Sequence, residues 1–115
     1  MDYREYISRT FIGDHPRITS LGILAVGEKT EYGTVMGKLT SSGELKPLDP
    51  AANDGTEVAE TVIIDSVDAT AEALTCIKLD HGECVDDGLI WPESISVDQK
   101  AKAITELKIN GIFVN

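Results

Sequence analysis

Leu89-Ile90-Trp91-Pro92-Glu93, continued by Ser96-Val97-Asp98-Gln99 and closed by Gly111-Ile112-Phe113-Val114, is the stretch on which the reading of this chain turns. Trp91 is the only tryptophan, and such a ring buries on the order of 200 Å². Pro92 has no amide hydrogen to give to a sheet, so a strand that delivers Trp91 stops there. Ser96 followed by Gln99 is a capping box, with Asp98 near the positive end of the helix it starts. Ala101, Ile104, Leu107 and Lys108 follow at helical spacing, and Asn110-Gly111 supplies the stop. The spacing predicts a helix over 97–109. Ile112-Phe113-Val114 are β-formers and read as a closing strand.

Upstream the pattern is short strands and polar turns. Leu21–Val26 reads as an apolar strand stopped at Gly27. Gly33–Thr40 alternates loosely, and Glu44–Leu48 follows across the turn Ser41-Ser42-Gly43 as its hairpin partner. Asp49–Gly55 is a loop by its residues. Thr61-Val62-Ile63-Ile64 reads as a buried strand, and Asp65–Ala71 as a polar loop. Ala73–Leu79 reads as a strand turned by Asp80-His81-Gly82 into Glu83-Cys84-Val85. The expectation is one mainly β domain over 21–115 with a single C-terminal helix.

Residues 1–20 stand apart. Two of the three tyrosines and one of the two phenylalanines lie here, more aromatic surface than a solubilising leader needs. Tyr3, Tyr6, Ile7, Phe11, Ile12 and Ile18 are scattered without a period, and Gly13 and Pro16 interrupt them. The segment reads as an extended N-terminal arm that orders against a partner. The alternative is an N-terminal strand packed on its own domain.

At 115 residues the chain is large enough for one hydrophobic core. With 42% hydrophobic and 26% charged residues, it has the composition of a soluble globular domain. No apolar run approaches the roughly 20 residues of a membrane helix, so no membrane partner is expected. Met1-Asp2-Tyr3-Arg4-Glu5 lacks the basic start and apolar stretch of a signal peptide, and the expectation is that the chain stays in the compartment where it is made. The formal charge is −10, with twelve acids and only Lys78 between Asp49 and Glu93. That field repels a phosphate backbone, which excludes nucleic acid as an expected partner.

Catalytic arrangements fare poorly. Of the two histidines, His15 sits beside Pro16 and His81 in an expected turn, neither next to a nucleophile. Cys76, His81 and Cys84 are too few ligands for structural zinc. A Cys76–Cys84 disulfide is geometrically possible across a hairpin, but reduced thiols are the default without an export signal; Cys76 reads as a small buried hydrophobe. An EF-hand centred on Gly55 would place Pro50, Ala52 and Thr61 where carboxylates are needed. Lys38 has Tyr32 where a phosphate loop needs glycine. The sequence therefore offers no catalytic residue, no cofactor site and no metal site.

A resemblance covers most of the chain. Gly88-Leu89-Ile90-Trp91-Pro92-Glu93, the capped helix and Gly111-Ile112-Phe113-Val114 resemble the head decoration proteins of tailed phages, of the phage lambda type. Gly33-Thr34-Val35-Met36-Gly37-Lys38 is similar to the family's early segment. Asp54-Gly55 with Val62-Ile63-Ile64-Asp65-Ser66-Val67-Asp68-Ala69 is similar to its central loop and aliphatic strand. The ordered series spans roughly Leu21 to Val114.

The resemblance implies a β-clip-like single domain that forms homotrimers at three-fold and quasi-three-fold positions of the expanded head. Such proteins are non-enzymatic. They bind the major capsid (coat) protein on the outer surface of the virion, cement neighbouring subunits against packaged DNA, and reside in the host cytoplasm during assembly. Their N-terminal arm is mobile in the free protein and orders on the capsid. Apolar character then makes Tyr6, Phe11, Ile12, Pro16, Ile18 and Leu21 the expected capsid contacts, and Trp91, Pro92 and Phe113 the expected fold or trimer core. The competing readings are a small β-clip enzyme or ligand-binding domain and an intracellular protein-interaction module.

Overall fold

A computed structural model describes residues 17–115, and within them the chain runs β1 (Ile18–Leu24), β2 (Lys29–Thr30), β3 (Val35–Lys38), β4 (Leu45–Pro47), β5 (Thr61–Val62), β6 (Val67–Asp68), β7 (Leu74–Cys84), a 3-10 turn (Asp86–Gly88), α1 (Val97–Ile109) and β8 (Ile112–Val114). The fold is mainly β with one C-terminal helix, as expected. Six strands form one sheet in the order β5-β3-β4-β1-β7-β8, and β2 pairs with β6 apart from it. The β3–β4 hairpin is antiparallel, with Gly37 opposite Lys46, and β4 meets β1 in parallel at Leu24 and Leu45. Ile63, the residue after β5, bridges Lys78 on β7. That bridge joins the first strand of the sheet to β7, so β3, β4, β1, β7 and β5 close into a ring.

The ring has two apolar sides because neighbouring residues on a strand point opposite ways. Met36, Ile63, Leu24, Leu45 and Cys76 meet in one cluster, with Ala69. Val35, Val62 and Leu79 point the other way and join Ala103 and Leu107 of α1 and Ile112 of β8 in a second cluster. Strands buried on both faces read as continuous apolar runs, which is why Val35-Met36 and Val62-Ile63 show no alternation.

Helix α1 begins as its sequence dictates. The Ser96 hydroxyl accepts from the Gln99 amide at 3.1 Å, and the Gln99 side chain accepts from the Ser96 amide at 2.9 Å. Its buried residues are Ala103 and Leu107, one turn apart on one face. Ala101, expected on that face, is exposed. The Glu106 carboxylate accepts from the Ala59 amide at 3.0 Å, and the Asn110 side chain donates to the Glu60 carbonyl at 3.2 Å. Both bonds fix the helix to the approach to β5.

Several local expectations are corrected. β1 begins at Ile18, not Leu21, because β7 offers it a ladder as far as His81; three residues counted in the 1–20 arm therefore belong to a strand. Asp80-His81-Gly82 is not a turn: β7 runs unbroken for 11 residues. The register steps from Thr19 opposite Leu79 to Ile18 opposite His81, leaving Asp80 as the extra residue of a bulge. The turn-forming residues thus mark an irregularity inside a strand. Trp91 is not delivered by a strand. The chain reaches it through the 3-10 turn and a single parallel bridge, Thr34 to Ile90. Val67-Asp68, inside the stretch read as a polar loop, pairs with Lys29-Thr30, a two-residue ladder too short to leave a period.

Two glycines of the Gly33–Lys38 segment are there for room. Gly33 has φ +95°, and a Cβ on it would meet the Gly88 carbonyl oxygen. A Cβ on Gly37 would lie 2.6 Å from the Thr56 Cα and 2.7 Å from the Thr56 carbonyl oxygen. Gly33 thereby lets the Gly88–Trp91 segment close on β3, where the Ile90 amide donates to the Gly33 carbonyl and the Val35 amide to the Ile90 carbonyl.

Candidate interaction surface

Covering the ring is a job α1 and β8 do only in part. β1 and β7 form the longest ribbon, paired from Ile18–His81 to Leu24–Leu74. On its outward face Leu79 lies beneath the helix-side cluster. Farther along that face the pairs Leu21–Ile77 and Ile23–Thr75 have no covering layer among the described residues. Leu21 is 69% and Ile77 38% exposed, and Ile23 is exposed between them. On the opposite face Gly22 pairs with buried Cys76, so the ribbon is dry inside and apolar outside. Ile18, at the end of the ribbon, is also exposed. Adjacent exposed aliphatics on a sheet are the kind of patch that marks a protein contact.

Trp91 anchors a second feature. Its indole N–H donates to Asp86 Oδ1 at 2.9 Å, while Lys100 Nζ of α1 lies 2.8 Å from Asp86 Oδ2. The same ammonium stands 5.4 Å from the centre of the Trp91 ring, within cation–π range. Hydrogen bonds from Lys100 and then Trp91 hold the Asp86 carboxyl below its ordinary value. The side of the ring packs on the helix-side cluster. This arrangement ties the 3-10 turn to the helix, and sequence reasoning missed it because Asp86 and Lys100 are far apart in the chain. Pro92 is half-buried beside it. Phe113, on β8, meets His81 of β7 edge-on at 5.8 Å and 77°. Trp91 and Phe113 thus each contact a neighbouring element of the same chain.

Of the expected capsid contacts, Ile18 and Leu21 lie on the exposed part of β1, whereas Tyr6, Phe11, Ile12 and Pro16 lie outside the described residues. Ile23 and Ile77 were not singled out from the sequence. The signal was there in the alternation of β1, but only pairing with β7 puts them on one face.

Among the described residues no three His, Cys, Asp or Glu side chains gather to hold a metal ion, and none of the helices formed by them is long and apolar enough to cross a membrane. Cys76 and Cys84 are free thiols. They stand eight positions apart on one continuous strand, roughly 26 Å at the rise of a β-strand, so the hairpin that a disulfide needed does not exist. Burial pushes both thiols up.

Comparison with known proteins adds one match. The family model described as bacteriophage lambda head decoration protein D matches residues 10–112. No curated protein matches the chain.

Proposed function

The chain belongs to the bacteriophage lambda head decoration protein D family, and on that premise we propose that it is a non-enzymatic cementing protein that sits as a homotrimer at three-fold and quasi-three-fold positions of the expanded head. As a head decoration protein it binds the phage capsid at the outer surface of the virion. The partner in this reading is the major coat protein, and the chain resides in the host cytoplasm until heads are ready to receive it.

The observation that carries the reading is the exposed apolar strip of Leu21, Ile23 and Ile77, which no other described element covers and which continues from the segment expected to reach the coat. Tyr6, Phe11, Ile12, Pro16, Ile18 and Leu21 are its proposed contacts, and Trp91, Pro92 and Phe113 keep the body behind them rigid. An arm that pairs with coat strands gains affinity from main-chain hydrogen bonds and specificity from alternate side chains. Ordering one arm is unfavourable, but three arms on one trimer raise the effective concentration of the second and third, with avidity gains of about 10² to 10⁴. Because the trimer binds only the assembled shell, it stabilises that shell by mass action. The acidic body, with net charge −10, suits a protein that stays outside the head, away from DNA.

The test is co-sedimentation with mature, expanded heads, using the full chain and a chain that starts at Arg17, which keeps β1 whole. Saturable binding by the full chain and its loss on truncation are expected. Retained binding by the truncated chain would move the contact to the folded body. Association of neither chain with heads would sink the proposal.

A further inference from the structure

Asn110-Gly111, the joint between α1 and β8, is the one place in the sequence where glycine follows asparagine; Asn53 precedes Asp54, and Asn115 is the last residue. A glycine carries no Cβ to hinder its own amide nitrogen, and that makes the pair chemically labile. The Gly111 nitrogen attacks Asn110 Cγ and forms a new N–C bond. The Cγ–Nδ2 bond breaks, and ammonia leaves with the proton that the Gly111 nitrogen gives up. Water then opens the resulting succinimide at either carbonyl, which leaves aspartate or isoaspartate at position 110. Water is the co-reactant, and nothing is oxidised or reduced.

The fold requires this glycine. Gly111 has φ +92°, and a Cβ there would lie 2.8 Å from His81 Nδ1. Asn110 is exposed, so water and base reach it. The same geometry nevertheless holds the reaction back. A planar succinimide needs the Gly111 nitrogen to lie over Cβ across the Cα–C bond. At ψ 4° it lies over the backbone nitrogen of Asn110 instead, a third of a turn away around the tetrahedral Cα. The Gly111 N–H donates to the Lys108 carbonyl at 3.0 Å, and the attacking nitrogen must lose that proton. The Asn110 side chain donates to the Glu60 carbonyl at 3.2 Å, which pins Cγ on the approach to β5. All three restraints belong to the last turn of α1, and helix ends open more readily than cores.

We infer that Asn110-Gly111 is a self-modification site of this chain, closed while the last turn of α1 is formed and open when that turn frays, and that its conversion unties the helix from β5. The inference rests on this joint alone and stands apart from the proposed function. A carboxylate at position 110 has no proton for the Glu60 carbonyl, and it places negative charge at the negative end of the helix. Isoaspartate also lengthens the backbone between α1 and β8, whose register with β7 begins at the next strand residue, Ile112 opposite Gly82.

The experiment incubates the full chain in mildly alkaline buffer, folded and in denaturing urea, and follows the conversion of Asn110 and Asn53 by peptide mass spectrometry. Iodoacetamide labelling of Cys76, 1% exposed inside the ring, reports on global unfolding under the same conditions. In urea Asn110 is expected to convert before Asn53. In the folded chain it is expected to convert at least about tenfold more slowly than in urea, as a site that must first open does. The ratio of folded to unfolded rate measures the open fraction, and that of Asn110 is expected to exceed that of Cys76 by at least about tenfold, because only the helix end has to open. Equal Asn110 rates in the folded and unfolded chain, or Asn110 lagging Asn53 in urea, would overturn the inference. So would equal open fractions at Asn110 and Cys76, which would make the opening global. Asn110→Asp, which copies the simpler product, is expected to lower the urea midpoint; an unchanged midpoint would overturn the claim that conversion unties the helix.

Discussion

Gly37 shows how a single absent atom can set the fit between two parts of the chain. A Cβ there would lie 2.6 Å from the Thr56 backbone, and backbone on both sides leaves neither partner a rotamer to change. Gly37→Ala is expected to destabilise by about 1–3 kcal/mol, the range for overpacking, seen as a lower urea midpoint at unchanged slope. Asp86 sets a different residue-scale expectation. Its carboxyl is held below the ordinary value by Lys100 and then Trp91. The stabilisation from this depressed group is present above the unfolded value and is lost as pH falls through the folded one. Urea midpoints of the unmodified chain and Asp86→Asn should therefore differ most near neutrality and converge as pH drops through and below the ordinary carboxylate range. A gap that persists at the acid end would mean that ionised Asp86 is not its source.

The elements differ in how openly the sequence declares them. Helix α1 is announced by its own ends, because a capping box and a glycine stop are local chemistry that no tertiary contact has to supply. Ser96→Ala is accordingly expected to lower stability by about 1 kcal/mol, with helix content retained by circular dichroism in the folded protein. β7 is the opposite case. Asp80-His81-Gly82 has turn composition, yet the ladder with β1 on one side and β8 on the other carries the strand straight through it as a bulge. Long-range pairing overrode a local preference, and nothing within the three residues foretells that. The start of β1 was hidden for a related reason: Ile18 and Thr19 are exposed, so burial imposes no period on them, and only hydrogen bonds to β7 make them a strand. The Asp86–Lys100–Trp91 contact was illegible because it joins groups whose sequence separation carries no pattern.

At the scale of the molecule, the helix and β8 supply a second layer for one end of the ring, and among the described residues nothing covers the other end. The closed ring gives Leu21 and Ile77 a rigid place next to each other without help from either side chain, and that separates folding from assembly. Leu21→Thr together with Ile77→Thr keeps β-forming residues at both positions and repeats the threonines already present at Thr19 and Thr75. Because neither side chain packs in a core cluster, the pair should change folding stability by no more than about 1 kcal/mol. Burying an exposed leucine or isoleucine fully in a partner is worth about 1.5–3 kcal/mol. If the strip is covered in the trimer or on the head, the double variant should therefore lose at least about tenfold in one of those associations. Sedimentation equilibrium reads the first, as a mass near three times 12.4 kDa giving way to smaller species, and binding to heads reads the second. A variant that folds and matches the unmodified chain both in mass and in binding to heads would show that the strip is covered in neither association, and would leave the segment before Arg17 as the place to look for the coat contact.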